Sequence, residues 1–308
     1  DTALGEQAKK MGFRKTFINP ADIGGRYSAL SYFGLVPASL IGIDLKTLIE
    51  RAQVVVDRCY ANVPAQENAG VRIGAGLAVL GREGRDKVTF VLSPKLRSWG
   101  DWVEQLIAES TGKEGKELLP VVGEESGDIS SYGSDRAFVF IALEGDKALR
   151  KRAEELERAG HPVLFWFLKD AYDLGGEFFR WEMATVVAGA MLAIDAFDEP
   201  NVQEAKDAAA ALLRAYQADG RLPEDSPASR ADGISIFGGA AGETLPGVLA
   251  RHFKQFNPGD YISLLAFTAR TPGSDRELAA MRSILREAFK AAATANYGPR
   301  YLHSTGQL

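Results

Sequence analysis

The sequence is poor in the residues that build redox and metal centres. A single cysteine, Cys59, excludes an internal disulfide and any multi-cysteine metal site, and it suits a reducing cytosol. The three histidines, His161, His252 and His303, are too far apart in the chain to form a helix-borne ligand pair. Basic charge is also short: 36 Lys and Arg against 41 Asp and Glu leave a net charge of −5, which argues against a nucleic-acid or anionic-membrane surface. The longest strongly apolar run, Met183–Ile194, is too short to span a bilayer. No signal peptide, internal repeat or low-complexity stretch stands out. What remains is an ordinary globular composition, 46% hydrophobic and 25% charged over 308 residues, enough for one large domain or two of ordinary size.

Apolar periodicity predicts helices over Thr2–Met11, Asp44–Asn62, Asn68–Leu80, Ser98–Glu109, Lys147–Ala159, Gly175–Ala196, Val202–Tyr216, Glu243–Phe253 and Asp275 to about Ala295. Another runs from Ser28 through Ser31–Leu35, and Ser274 with Glu277 reads as a capping box for the last helix. Continuous apolar runs at Lys87–Ser93, Leu118–Val122, Ala137–Leu143 and Pro162–Leu168 read as buried strands, joined by strands near Ile234–Phe237 and at Tyr261–Phe267. Strands of this kind alternating with helices signal an α/β fold whose parallel sheet is covered on both faces. Ligands of such sheets gather outside the carboxyl ends of the strands, where the loops are expected to carry Glu109, Glu124 and Arg136. The segment Gln217–Asp232, rich in Pro, Ser, Asp and Gly, is the candidate linker. Two glycine clusters carry little: Gly74-Ala-Gly76 has no strand before it and reads as a packed helix, and Gly238-Gly-Ala-Ala-Gly242 lacks the Lys-Ser/Thr of a phosphate loop.

Chemistry is suggested by two polar stretches. In Gln105–Lys113, Gln105 and Glu109 are four apart and share one helix face, with Ser110 and Lys113 following where the helix is expected to fray. A carboxylate beside amide, hydroxyl and ammonium groups can accept and return a proton. In Asn19–Ser28, the pair Gly24-Gly25 lets backbone approach a ligand closely while Arg26 brings a guanidinium to the same spot.

Together with a third stretch these segments resemble phosphoglucose isomerase (glucose-6-phosphate isomerase). Ile23-Gly-Gly-Arg-Tyr-Ser28 is similar to one signature of that family. Gln105-x-x-x-Glu-Ser-x-Gly-Lys113 resembles the segment bearing its catalytic glutamate. Ile194-Asp-Ala-Phe-Asp-Glu-Pro-Asn-Val-Gln-Glu-Ala-Lys206 resembles its final signature, which ends in an active-site lysine. Val122-Gly-Glu124 and Ala137-Phe138 match in order between them, so the resemblance covers about residues 8–215. The tail Tyr297-Gly-Pro-Arg-Tyr-Leu-His-Ser-Thr-Gly-Gln307 is most like the compact bacterial form often fused behind a transaldolase.

The resemblance implies a doubly wound parallel sheet, an αβα sandwich of the sugar-isomerase type, with a C-terminal α/β extension. Residues 1–216 would be the second sugar-isomerase domain, 217–232 a linker and 233–308 a truncated extension. The first copy, with the loop that cradles the substrate phosphate, would precede residue 1, so these residues alone are expected to be weakly active or inactive. The implied reaction interconverts glucose 6-phosphate and fructose 6-phosphate through an enediolate, without metal or organic cofactor. Glu109 would carry the proton, Arg26 would stabilise the enediolate oxygen, and Lys206 would assist near the ring oxygen. Gln105, Gly24, Gly25 and Glu199 would bind substrate. The sequence departs from the family twice. Where a ring-opening histidine is usual it reads Ser134-Asp-Arg136, and Arg136 is a poor proton donor, leaving His303 as a substitute. Glu199 stands where a glutamine is usual, and it could hold Lys206 instead of the sugar. A sugar phosphate is the expected partner, in a cytoplasmic homodimer by family analogy. A non-catalytic sugar-phosphate module on the same fold, or an isomerase of another sugar phosphate, are the alternatives.

Overall fold

The structure, a computed structural model, describes residues 2–198, 200–223, 225–231, 233–238 and 243–308. Glu199 and most of the Gly238–Gly242 cluster lie outside the described residues. The chain forms two compact units, residues 1–197 with 263–308, and residues 198–262. These cuts fall at 197/198 and 262/263, not at the glycine- and proline-rich segment 217–232.

The first unit opens with four helices, α1 (Ala3–Lys10), α2 (Tyr32–Leu40), α3 (Leu45–Asp57) and α4 (Ala69–Arg82). Then come β1 (Lys87–Leu92), α5 (Arg97–Thr111), β2 (Leu119–Val122), β3 (Arg136–Leu143), α6 (Lys147–Arg158), β4 (Val163–Leu168) and α7 (Leu174–Leu192). The second unit holds α8 (Pro200–Asp219), the antiparallel pair β5 (Ser229–Ala231) and β6 (Ile234–Ile236), and α9 (Leu245–Phe253). The chain returns to the first unit through β7 (Ile262–Ala266), α10 (Pro272–Phe289) and β8 (Ala293–Tyr297), with β7 and β8 paired.

Strands β1 to β4 form one parallel sheet in the order β2-β1-β3-β4. Strand β3 shows why both faces are covered. Alternate side chains of a strand point to opposite faces, and Val139 and Ile141 join a core with Phe90, Leu106, Ile107 and Trp181. Phe138 and Phe140 join a second core with Ala153 and Leu156 of α6. The result is the αβα sandwich with a parallel sheet. On the first face, α4 meets α7 at Gly74, where an added Cβ would sit 2.3 Å from the Ala184 carbonyl oxygen. Gly74 is therefore a close-packing residue of a helix, as the missing strand before it implied.

Several elements differ from their predicted extents. No helix starts at Ser28; a short 3-10 turn, Gly25–Tyr27, comes first and α2 waits for Tyr32, capped by the Ser31 side chain. α5 does not fray at Glu109 but runs on to Thr111, whose hydroxyl donates to the Ile107 carbonyl (2.9 Å) and accepts from the Leu118 N–H (3.1 Å). Arg136 is the first residue of β3, at its amino end, not in a loop beyond the carboxyl ends. β5 falls inside the segment read as linker. The capping box of α10 pairs Thr271 with Ser274, not Ser274 with Glu277, because Pro272 has the fixed φ that suits a first helical position. α10 also stops at Phe289, and Ala293–Tyr297, read as its end, is β8. Alanines favour a helix locally, but Ala291, Ala292 and Ala293 are buried, and tertiary packing overrides that propensity.

Candidate active site

The first unit gathers Arg26, Tyr27, Gln105, Glu109, Ser110 and His303 around the last turns of α5. Trp99, Val103, Leu106 and Ile107, spaced three and four apart, turn one face of that helix into the core and fix the helix. Glu109 and Ser110 are buried at its end. Arg26 is also buried, and its Nε stands 3.7 Å from Glu109 Oε2. The Gln105 side-chain amide donates to the same oxygen at 3.3 Å, so the four-residue spacing does place the two on one face. The other carboxylate oxygen, Oε1, lies 3.5 Å from His303 Nδ1.

Arg26 is held from two further sides. Its Nη1 donates to Ser110 Oγ (2.8 Å) and to the Ala196 carbonyl (3.0 Å), and Nη2 donates to the Phe197 carbonyl (3.2 Å). Those carbonyls arrive because α7 ends on Ala193 in the left-handed conformation (φ 58°), which turns residues 194–197 back towards α5. Ile194 N–H then bonds the Gly189 carbonyl (3.0 Å), and Lys113 Nζ donates to the Asp195 carbonyl. Tyr27 closes the cluster. Its hydroxyl donates to the Ala196 carbonyl (3.1 Å) and lies 3.2 Å from Ser110 Oγ, while its ring packs on Phe197. Burial pushes the Tyr27 phenol above its usual pKa, outweighing the pull of Ser110 and Arg26, so it stays a neutral donor. A carboxylate with a fixed cation on one oxygen and an imidazole on the other is equipped to take up and release protons.

Comparisons with known proteins find relatives of the chain as a whole. No protein-family model matches the chain. A glucose-6-phosphate isomerase from Heliobacterium modesticaldum is 32% identical over 250 residues, covering 68% of this chain and 56% of the relative. One from Clostridioides difficile is 28% identical over 250 residues, covering 68% and 55%. The chain is homologous to glucose-6-phosphate isomerases. It spans about half the length of the curated relatives it matches, 53–56%. The fold agrees with that of a glucose-6-phosphate isomerase from Chlamydia trachomatis (TM-score 0.51, 17% identity, 63% of this chain and 48% of that one). It also agrees with that of a hypothetical protein from Thermus thermophilus (TM-score 0.60, 23% identity, 71% and 61%).

The remaining residues singled out by the glucose-6-phosphate isomerase resemblance are placed as follows. Gly24 caps the 3-10 turn that carries Arg26; a Cβ on Gly24 or Gly25 would meet nothing within 4 Å, so the side of the turn they leave bare is open. Arg136 is not brought to Glu109. It is fully buried, ion-paired through Nη2 with Glu124, and donates from Nε to Thr89 Oγ1 at 2.9 Å. Lys206 is exposed on α8, in the second unit. Glu199 is outside the described residues. Sequence reading missed Tyr27 as a site residue and gave no role to the Ala196 and Phe197 carbonyls. Tyr27 could have been suspected from its place beside Arg26, but a carbonyl leaves no mark in a sequence. Among the described residues no group of three or more His, Cys, Asp or Glu side chains is gathered to hold a metal ion. No described helix is long and apolar enough to cross a membrane.

Proposed function

We propose that this chain takes part in the interconversion of glucose 6-phosphate and fructose 6-phosphate through an enediolate. The observation that carries the reading is the buried contact between Arg26 and Glu109, 3.7 Å apart, on segments that resemble two glucose-6-phosphate isomerase signatures. Glu109 takes the proton from C2 of the open-chain aldose as general base. The electron pair left behind forms the C1–C2 double bond of the enediolate as the C1 carbonyl pair moves onto O1. The O2 hydroxyl proton passes to O1, and the carboxyl returns its proton to C1 as C2–O2 becomes the carbonyl of the ketose. Arg26 faces the charge that develops on the oxygen with its guanidinium. Gln105, already bonded to Glu109, keeps the carboxylate in one orientation and presents its amide to a substrate hydroxyl. Lys206 is assigned near the ring oxygen on the resemblance of its segment, and a cytoplasmic homodimer on family analogy.

The test is a coupled assay on the full-length protein, in which glucose 6-phosphate formed from fructose 6-phosphate is oxidised by a dehydrogenase. Glu109→Gln is isosteric and cannot take a proton. It is expected to lower kcat by about 10²–10⁴-fold, the usual worth of a positioned general base. A variant that turns over like the wild type would refute the assignment of Glu109. A wild type without turnover on either hexose phosphate would refute the function.

A further inference from the structure

Glu109 has two unlike oxygens. Oε2 is occupied by groups that do not exchange protons at neutral pH, the Arg26 guanidinium and the Gln105 amide. Oε1 faces His303 Nδ1 at 3.5 Å. The carboxylate side chain is 5% exposed and the imidazole 56% exposed, so His303 spans the distance between a buried base and water. His is the one side chain whose ordinary pKa allows it to take and give a proton near neutrality.

The position of His303 is fixed by the polypeptide on both sides of it. Arg300 Nη2 donates to Glu104 Oε1 (2.9 Å) and to Asn296 Oδ1 (2.9 Å), and Nη1 donates to the Asp101 carbonyl (3.2 Å). Asn296 Nδ2 in turn donates to Thr305 Oγ1 at 2.9 Å. Ser304 and Thr305, immediately after the histidine, are buried. Glu104 lies on α5 itself, upstream of Glu109. One helix therefore carries both the base and the anchor of the segment that brings the imidazole to it. A histidine that merely sat on a solvated tail would need no such clamp.

We propose that His303 is the proton-exchange partner of Glu109, connecting the substrate-derived proton on the carboxyl with solvent during each turnover. This rests on the isomerase reading above. After Glu109 has taken the C2 proton, its O–H bond breaks as an N–H bond forms on His303 Nδ1, giving carboxylate and imidazolium. The imidazolium releases its Nε2 proton to water. The reverse sequence, started by a water proton on Nε2, returns a solvent proton to Glu109 and thence to C1. No oxidant or further reactant is needed. His303 acts through Glu109 and is an exchange and positioning residue, while Glu109 alone touches carbon.

The test follows the label, not only the rate. Glucose 6-phosphate deuterated at C2 is converted in ordinary water by the full-length protein, the reaction is stopped at low conversion, and deuterium at C1 of the product is measured by mass spectrometry. His303→Gln is expected to raise the ratio of retained to lost deuterium several-fold, because the proton stays on Glu109 until it is returned. Arg300→Met, which releases the clamp but keeps the His303 side chain itself, is expected to shift the ratio in the same direction by less. Tryptophan fluorescence of each variant checks that the first unit is folded. If the wild type isomerises but the ratio is the same in both folded variants, the proposal about His303 is overturned and the isomerase reading stands. If the wild type does not isomerise, both fall together.

Discussion

The buried pair Arg136–Glu124 offers a sharp test of how the first unit is held together. Both side chains are almost fully buried (0% and 2% exposed), and the guanidinium also bonds Thr89 and lies over the Tyr132 and Phe138 rings at 5.2 and 5.7 Å. Removing one member of a buried pair strands the other in low dielectric and costs about 3–5 kcal/mol, whereas replacing both with apolar groups is often close to neutral. The two ends are not equivalent. Burial holds Arg282 down to about 10, and Glu124 works against that while Arg136 and Arg286 add to it. Glu124 thus serves more than one buried guanidinium. Glu124→Gln is therefore expected near the upper end, about 5 kcal/mol, and Arg136→Met near the lower end, about 3 kcal/mol. The double substitution Arg136→Met with Glu124→Leu should cost less than Glu124→Gln alone, well short of the roughly 8 kcal/mol to which independent losses of about 5 and 3 would sum. Urea unfolding followed by tryptophan fluorescence is the assay, since Trp99, Trp102, Trp166 and Trp181 all lie in the first unit. Additive single effects, or single losses below about 1 kcal/mol, would refute the reasoning. A substrate-binding role for Arg136 would appear separately, as a raised KM that the stable double variant fails to repair.

Three further outcomes are expected. Burial raises the Glu177 carboxyl to about 7, against the pull of Arg180, and raises Glu182 to about 8. A carboxyl raised on folding contributes stability that is fully present below its unfolded pKa and lost as pH rises through the folded one. The first unit should therefore weaken between about pH 4.5 and 8, on the order of 3 kcal/mol from Glu177 alone, and Glu177→Gln should flatten that part of the curve in urea titrations at stepped pH. Ala193→Gly should stabilise by about 0.5–1 kcal/mol in thermal unfolding, because it relieves a left-handed residue at an exposed helix end and offsets glycine's own entropy cost. Ser110→Ala removes an acceptor of Arg26 and a neighbour of Tyr27 inside the site. It should lower kcat/KM about tenfold to a hundredfold, equivalent to about 1.5–3 kcal/mol, with little change in the urea midpoint.

The layered α/β architecture could be read from the chain because it rests on long-range regularities. Four unbroken apolar runs alternating with amphipathic segments leave few arrangements besides a covered parallel sheet. Glu109 and Gln105 were legible for the same reason, their spacing matching one helix turn. Arg26 was suggested by the glycine pair before it and by a motif resemblance, and no periodicity could have brought it to Ser110, 84 positions away. What escaped the sequence depends on packing partners or on the main chain. β8 was hidden in an alanine run whose local preference is helical, and it became a strand beside β7. The Ala196 and Phe197 carbonyls hold Arg26 through backbone that any residue could supply. Nothing in the sequence marks Glu104 and Arg300, 196 positions apart, for the 2.9 Å contact that folding gives them.

Helix α10 reaches the loop after β2 in a way that affects how that loop can change. Arg282 Nη1 donates to the Val122 carbonyl at 3.1 Å and Arg286 Nη1 to the Glu125 carbonyl at 2.7 Å. Both guanidiniums read peptide oxygens, which every amino acid provides. Glu125 and Ser126 could thus be exchanged freely in an engineered library while the path of the loop stays put, whereas trimming either arginine would let the same loop drift with its sequence untouched.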